Sequence, residues 1–430
     1  MLRDASIYER MGDRMSQIGL GRGLTGMSGR DPNETHRSAT PLELLYDLTF
    51  VVAFGMAADQ LAHMLAEAHI WEGIGGFGFA MFAICWAWTN FSWFASAFDT
   101  NDWLYRIMTM LQMIGVVILA LGLPPMFHSL LSLEAGGSLD NRIMVAGYVI
   151  MRVAMVAQWL RAISQAPKHR RAAVAHASFI FVAQLGWVTL ALSDPPPATV
   201  LAMFPVLILL ELAGPVLVEK RHGGTPWHAH HLAERYGLLT IIALGEGVFG
   251  TVASVSALVE AEGWSTEAVV TILAGVGLTF GLWWNYFITP SAQVLAHHRR
   301  RAVVWAYSHI VTYAAIAATG AGLHIVAYTI QGSSHIGTLG AVTAIAVPVL
   351  IFEIVLFALY TFMMQEFDIF HIALIVATIL LIATAVALAA FGSSIGLCLI
   401  IITFSPAIVV VGYETIGRKH AAEALARTLA

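Results

Sequence analysis

Apolar runs recur along the chain from Leu42 to Glu414, each set off from the next by a short polar break. A helix of about 20 residues crosses the roughly 30 Å hydrocarbon core of a bilayer. The pattern predicts twelve such helices, over 42–66, 73–96, 104–127, 143–165, 172–193, 198–218, 234–255, 267–288, 302–328, 338–360, 367–391 and 394–414. Connections this short leave no room for an extramembrane domain. The predicted fold is all-α, a polytopic membrane protein.

Composition sharpens this reading. A hydrophobic content of 58% excludes a soluble chain of 430 residues, and with only 11% charged residues the placement of each charge becomes informative. All but Arg142 and Arg152 of the 22 Lys and Arg fall in the N-terminal segment, the C-terminal segment or alternate connections. Basic residues concentrate on the cytoplasmic side, so both termini are expected there. Residues 1–36 are polar and lack the apolar core of a signal peptide; they and 418–430 are expected to be cytoplasmic tails, the first of them flexible. Cys85 and Cys398 lie inside apolar runs without metal-ligand or disulfide spacing and read as packing residues.

The two halves look related, as 37–222 and 223–417. Tyr46 to Met56 lies over Tyr236 to Glu246, and Trp88, Asn90 and Arg106 fall on Trp283, Asn285 and Arg301. Six spans in each half is an even number, so the copies would face the same way, a parallel repeat with its sites near mid-membrane.

Charges at bilayer depth cost about 2.5–3.5 kcal/mol each on insertion scales, so each needs a partner, a wet cavity or a purpose. Thr40, Pro41 and Glu43 read as a capping box with proline at the first helical position. Asp47 lies a turn deeper, where it would either pair with Arg106 or Arg235 or serve transport. Arg152 keeps its charge and must meet Glu211, Glu246 or Glu353. Glu246 sits in a glycine-rich stretch, as an ion-coupling acid would, or faces a packed glycine surface beside an arginine. Asp59 would hydrogen-bond or face a vestibule. His228, His230, His231, His297 and His298 read as an interfacial cluster and not as metal ligands, and Trp86, Trp88, Trp93, Trp103, Trp283 and Trp284 mostly as interfacial belts. No metal or cofactor is expected.

Two longer segments add an identity. Ser38-Ala-Thr-Pro-Leu-Glu-Leu-Leu-Tyr-Asp-Leu-Thr-Phe-Val and His231-Leu-Ala-Glu-Arg-Tyr-Gly-Leu-Leu-Thr-Ile-Ile-Ala-Leu-Gly-Glu resemble the two signatures of the bacterial low temperature requirement protein A (LtrA) family. The resemblance implies that Pro41, Glu43, Asp47, His231, Glu234, Arg235, Gly245 and Glu246 hold family positions, with Tyr46 where phenylalanine is usual. It implies the cell membrane of a bacterium but brings no reaction.

The first functional expectation is a transporter or channel-like permease, proton- or cation-coupled, with Asp47, Arg152, Glu211, Glu246 and Glu353 along its pathway. Glu246 would be the coupling group, Arg152 its counter-charge, and Glu234 with Arg235 a cytoplasmic gate pair. The alternatives are an intramembrane enzyme acting on lipid or lipid-linked substrates, for which no HExxH, GxSxG or paired cysteines appear, and a non-transporting sensor or assembly factor. The expected partners are the bilayer and a small solute or ion, with no nucleic acid; oligomerisation stays open.

Overall fold

The computed structural model describes residues 24–429 apart from 36, 134–136, 194, 222 and 367–368. Among them no strand occurs, and twelve helices are long and apolar enough to cross a membrane. They are α1 (Pro41–Ala66), α2 (Ile70–Phe98), α3 (Trp103–Leu121), α4 (Arg142–Gln165), α5 (Arg170–Leu192) and α6 (Pro197–Arg221), then α7 (Ala229–Glu262), α8 (Thr266–Phe287), α9 (Ala302–Ile330), α10 (Gly337–Met364), α11 (Ile369–Ala390) and α12 (Ile395–Gly412). Leu201, Leu209, Leu273, Leu380 and other large apolar side chains are exposed on the outer surface, as contact with lipid requires.

Local chemistry sets the ends. Asp102, Ser265 and Ser394 are N-caps whose side chains accept from the backbone at α3, α8 and α12, satisfying donors that helix geometry leaves open. Gly122 interrupts the third span, which resumes as a short helix at Leu123–Leu130. The largest departure from the expected boundaries is α7, predicted at 234–255 and found at Ala229–Glu262. Hydropathy registers only the apolar middle, whereas the hydrogen-bond ladder runs on through polar residues from the His228 cap to Gly263, where φ turns to +74°.

Within the first half α1 packs on α2 and α3, α3 on α4, α4 on α5 and α5 on α6; within the second, α7 packs on α8 and α9, α9 on α10, α10 on α11 and α11 on α12. The halves meet where α1 and α2 contact α7 and α9. The most buried of the twelve is α9, while α6 and α11 stand at the periphery. Small residues permit the tightest approaches. A Cβ added to Gly147 of α4 would lie 2.3 Å from Leu119 N of α3, and one on Gly320 of α9 would lie 2.8 Å from the Glu246 backbone of α7.

One face of the bundle carries both described ends. The C-terminal helix Arg418–Leu429 continues α12 through a π-helical turn at Tyr413–Gly417 and docks through Thr428, whose Oγ1 donates to Met364 O at 3.0 Å. Of the expected N-terminal tail, residues 1–23 lie outside the described residues. Residues 24–35 cross this face: Met27 N donates to Gln165 Oε1 at 2.8 Å, and Arg30 N to Ala97 O at 2.9 Å. Because Arg299, Arg300 and Arg301 also lie here, it is termed the basic face below.

Gly147→Val forces a branched side chain into the α3–α4 crossing and is expected to destabilise the protein by about 1–3 kcal/mol. Gly78→Ala, at a position with nothing within 4 Å, is expected to be neutral or to stabilise by up to about 1 kcal/mol. Thermal unfolding of the purified variants in detergent measures both.

Candidate functional site

The start of α1 is built as the sequence predicts. Thr40 caps it, Pro41 opens it, and Glu43 Oε2 accepts from Thr40 N at 2.8 Å while Glu43 N donates to Thr40 Oγ1 at 3.3 Å. Capping occupies one carboxylate oxygen only. The other, Oε1, accepts from Arg235 Nη1 at 3.2 Å, and His231 Nε2 lies 3.1 Å from it. A turn deeper, Asp47 Oδ2 accepts from Arg235 Nε at 3.1 Å, and Oδ1 accepts from Nη2 and from the Trp88 indole, the latter at 2.6 Å. Glu43, Asp47, His231 and Arg235 are 0% exposed.

This cluster joins α1, α2 and α7. Glu43 and Asp47 are four residues apart on one helix, His231 and Arg235 four apart on the other, so each pair presents one face. The guanidinium fork suits two carboxylates held in that way. One arginine leaves one of the two negative charges uncovered, and His231 Nε2 is the nitrogen placed to serve it. Three expectations are decided here. Asp47 pairs with Arg235, whereas Arg106 bonds Asn101 at 3.1 Å. The gate pair of Glu234 with Arg235 does not form: neighbours on a helix point about 100° apart, and Glu234 accepts from Ala39 N at 3.1 Å instead. Trp88 is a buried donor and not part of a belt.

A second cluster lies within the first half. Arg152 of α4 donates to Tyr148 Oη at 2.5 Å and lies 3.5 Å from Glu211 of α6. Glu211 also accepts from Tyr148 Oη at 3.0 Å, Trp86 Nε1 at 2.7 Å and Gln184 Nε2 at 3.2 Å. Of its three candidate acids, Arg152 therefore takes Glu211, and the expected counter-charge for Glu246 is committed elsewhere. Trp86, like Trp88, serves an acid from the middle of α2, whereas Trp71, Trp103 and Trp264 stand exposed at helix ends.

Glu246 and Glu353 are different. Among the described residues no Lys, Arg or His lies within ion-pair distance of either. Glu353 of α10 accepts from Asn285 Nδ2 at 2.8 Å. Glu246, only 4% exposed, has no hydrogen-bond donor among the described residues. It sits where α1, α7 and α9 cross: a Cβ on Gly55 would lie 3.2 Å from its Oε1, and one on Gly320 would lie 2.7 Å from its Cβ. Beyond it, toward the face opposite the basic one, Asp59 stands one turn past Gly55, with His324 and Tyr328 one and two turns past Gly320. Asp59 is exposed and lies within electrostatic reach of Tyr328, Glu246 and His324.

On the other side of Glu246 the interior is closed by rings. Tyr46 packs on Phe91 at 3.9 Å, Trp88 on Tyr236 at 4.7 Å, Tyr236 on Trp305 at 4.4 Å and on His309 at 4.8 Å. His309 Nε2 meets Tyr286 Oη at 2.8 Å, and Tyr313 Oη donates to Tyr236 O at 2.9 Å. This layer, buried throughout its core, separates Glu246 from the Arg235 cluster, and the hydropathy pattern gives no sign of it.

The basic face is capped by the N-terminal segment. Arg37 donates to Ser96 O at 2.6 Å and Ala95 O at 2.8 Å, covering carbonyls at the end of α2. Asp99, just past that helix, accepts from Asn101 N at 2.7 Å and lies 4.0 Å from Arg30. Burial, with the nearby Glu43 charge adding to it, pushes the Asp99 carboxyl up to about 6.

Two predictions follow from these environments. Removing one member of a buried pair leaves the rest uncompensated, at a cost of about 3–5 kcal/mol. Arg235→Met is therefore expected to lower the melting temperature strongly, while Glu246→Gln, which breaks no pair, is not; thermal unfolding in detergent compares them. For Asp99 the folded protein holds a proton up to about 6, whereas an unfolded carboxyl releases it near pH 3.9. Its contribution to stability thus falls as pH rises between those values and stays low above them. Asp99→Asn lacks that slope, so its melting temperature is expected to rise relative to the parent protein's as pH climbs from about 4 to about 6.

The family model for the bacterial low temperature requirement A protein (LtrA) matches residues 38–405. An uncharacterized protein of Rhizobium meliloti (strain 1021) is 24% identical over 269 residues, 60% of this chain and 60% of that protein. The matched part of the chain thus spans less than two thirds of that relative. No solved structure matches. The family match takes in both signature segments, which the fold brings together as the two sides of the Arg235 cluster. The chain belongs to the bacterial low temperature requirement A protein (LtrA) family.

Proposed function

We propose that the protein moves a proton or small cation across the bacterial cell membrane, with Glu246 as the group that binds it. The observation that carries this reading is the contrast among deep acids. Glu43, Asp47 and Glu211 are each held by arginine, whereas Glu246 is buried without a cation or donor among the described residues. A carboxylate in that position is costly when charged, so it favours either a bound proton or a cation that compensates it.

In this reading the exposed Asp59, with His324 and Tyr328, forms the approach from the external face. The Tyr46, Trp88, Tyr236 and Trp305 rings close the route to the cytoplasm, and the Arg235 cluster holds α1 against α7 beneath them. The glycine contacts at Gly55 and Gly320 let α1 and α9 move against α7 with little side-chain obstruction, which alternating access requires. Arg152 and Glu211 brace the first half and carry no ion. The order of helix contacts, alike in the two halves except that α8 also packs on α12, supports a duplication of 37–222 and 223–417, and the basic face is assigned to the cytoplasm by its lysines and arginines.

The test is flux in proteoliposomes under imposed pH, sodium and potassium gradients. Cation- or proton-driven flux is expected for the parent protein, with Glu246→Gln lowering it by at least about tenfold, as loss of a binding charge would. Asp59→Asn is expected to slow it while leaving the fold intact. Equal flux in the parent protein and Glu246→Gln overturns the assignment.

A further inference from the structure

A second buried acid opens onto a separate cavity. Glu353, 1% exposed, and Asn285, 5% exposed, form the polar end of a space of about 50 Å³ bounded by α8, α10, α11 and α12. It shares no residue with the Glu246 crossing. Its other walls include Phe357, Tyr360, His371 and Tyr413. Asn285 spends its amide on Glu353 at 2.8 Å and leaves its buried Oδ1 without a partner. The carboxylate thus borders a small space with an idle carbonyl buried beside it, and no Lys, Arg or His lies within ion-pair distance of Glu353 among the described residues. His371 lines the space but stacks on Tyr360, ring centroids 4.7 Å apart.

The demand of such a site is specific. At the Glu353 end the two polar atoms left over are acceptors, so the group bound there must donate, and one of them belongs to a carboxylate, so a positive charge is favoured; Thr289, Tyr360, His371 and Tyr413 add further polar side chains to the lining. Aromatic faces attract cations as well. At about 10–15 Å³ for each water-sized group, the space admits roughly three or four heavy atoms. The backbone is also adapted there: the π-helical turn Tyr413–Gly417 places both of its end residues in the cavity wall, and π turns concentrate at functional sites.

We propose that this cavity binds a primary ammonium group, with Glu353 and Asn285 Oδ1 as acceptors and the Phe357, Tyr360 and Tyr413 rings as its walls. The ammonium can come from a small free amine or from the headgroup of phosphatidylethanolamine. A wide apolar groove lined by Ile354, Ile372 and Ile375 adjoins the cavity across Phe357 and His371, where an acyl chain would lie. The site goes beyond the transport reading and does not depend on it.

The experiment uses the full chain in nanodiscs. Ethylammonium chloride is titrated against it with sodium chloride as control, and occupancy is read as protection of Glu353 from carbodiimide labelling, quantified by mass spectrometry. Saturable protection by ethylammonium and not by sodium is expected in phosphatidylglycerol discs. Weaker apparent ethylammonium affinity in phosphatidylethanolamine discs assigns the ammonium to the lipid; equal affinity in both assigns it to a free amine. By calorimetry, Glu353→Gln is expected to weaken ethylammonium binding by at least about tenfold, with Asn285→Leu weakening it less and Glu246→Gln leaving it unchanged. No protection of Glu353 by ethylammonium, or binding to Glu353→Gln as tight as to the parent protein, overturns the proposal. Neither result bears on flux through Glu246.

Discussion

The contact of Arg235 and His231 with Asp47 and Glu43 is the constraint around which the rest of the bundle is arranged. Its four ionisable groups are withdrawn from water on every side, so the geometry must be satisfied nearly completely or the charges could not be there. That demand fixes the rotation of α1 and α7 about their axes, because a turn of either helix by one residue would carry its pair of side chains away. It also sets their depth, since the forked guanidinium meets Asp47 through two nitrogens. Trp88 extends the same requirement to α2. A buried ion cluster of this kind contributes little net stability over a well-packed apolar one; what it supplies here is a single permitted register between the halves.

Once α1 and α7 are set against each other, Glu246 is placed without any further choice. It lies about three turns along α7 from Arg235, facing Gly55 on α1, and the absence of a Cβ there is what gives its carboxylate room. On α9, Gly320 does the same for its stem. The acid is therefore held at the centre of the helix crossing by the same arrangement that denies it a counter-charge. Asp59, the charge that acts on it, and His324 lie outward, and the aromatic layer around Tyr236 lies inward. A polar approach on one side and a packed layer on the other is the asymmetry that the proposed carriage of a proton or cation requires.

Much of this was legible in the residues, and the limits are physical. Span number and order follow from the match between apolar run length and bilayer thickness, which tolerates no other fold. The capping box at Thr40 and Glu43 follows from local geometry alone. The choice of partner for Arg152 does not: Glu211, Glu246 and Glu353 lie at comparable depths, and only the rotation of α6 brings Glu211 within reach. The same holds for Trp86 and Trp88. A tryptophan in an apolar run reads as a belt residue, and its role as donor appears only when an acid on another helix is set opposite its indole. The ends of α7 escaped because hydropathy follows side chains while the helix follows backbone hydrogen bonds.

The proposed duplication would set the two halves apart most at one pair of positions. On that proposal Arg152, in the fourth helix of the first half, would correspond to Glu353, in the fourth helix of the second, at an offset of 201 residues. In the first half the cation meets Glu211, with Trp86, Tyr148 and Gln184 filling the remaining valences, and the cluster is closed. In the second half an acid takes the arginine's place, and α8 offers it a single amide. Duplication followed by this exchange would turn a structural brace into an unbalanced site. The contrast rests on the sign of one side chain: Arg152 meets Glu211 and its cluster is sealed, whereas Glu353 has no cation within ion-pair distance among the described residues and borders a cavity.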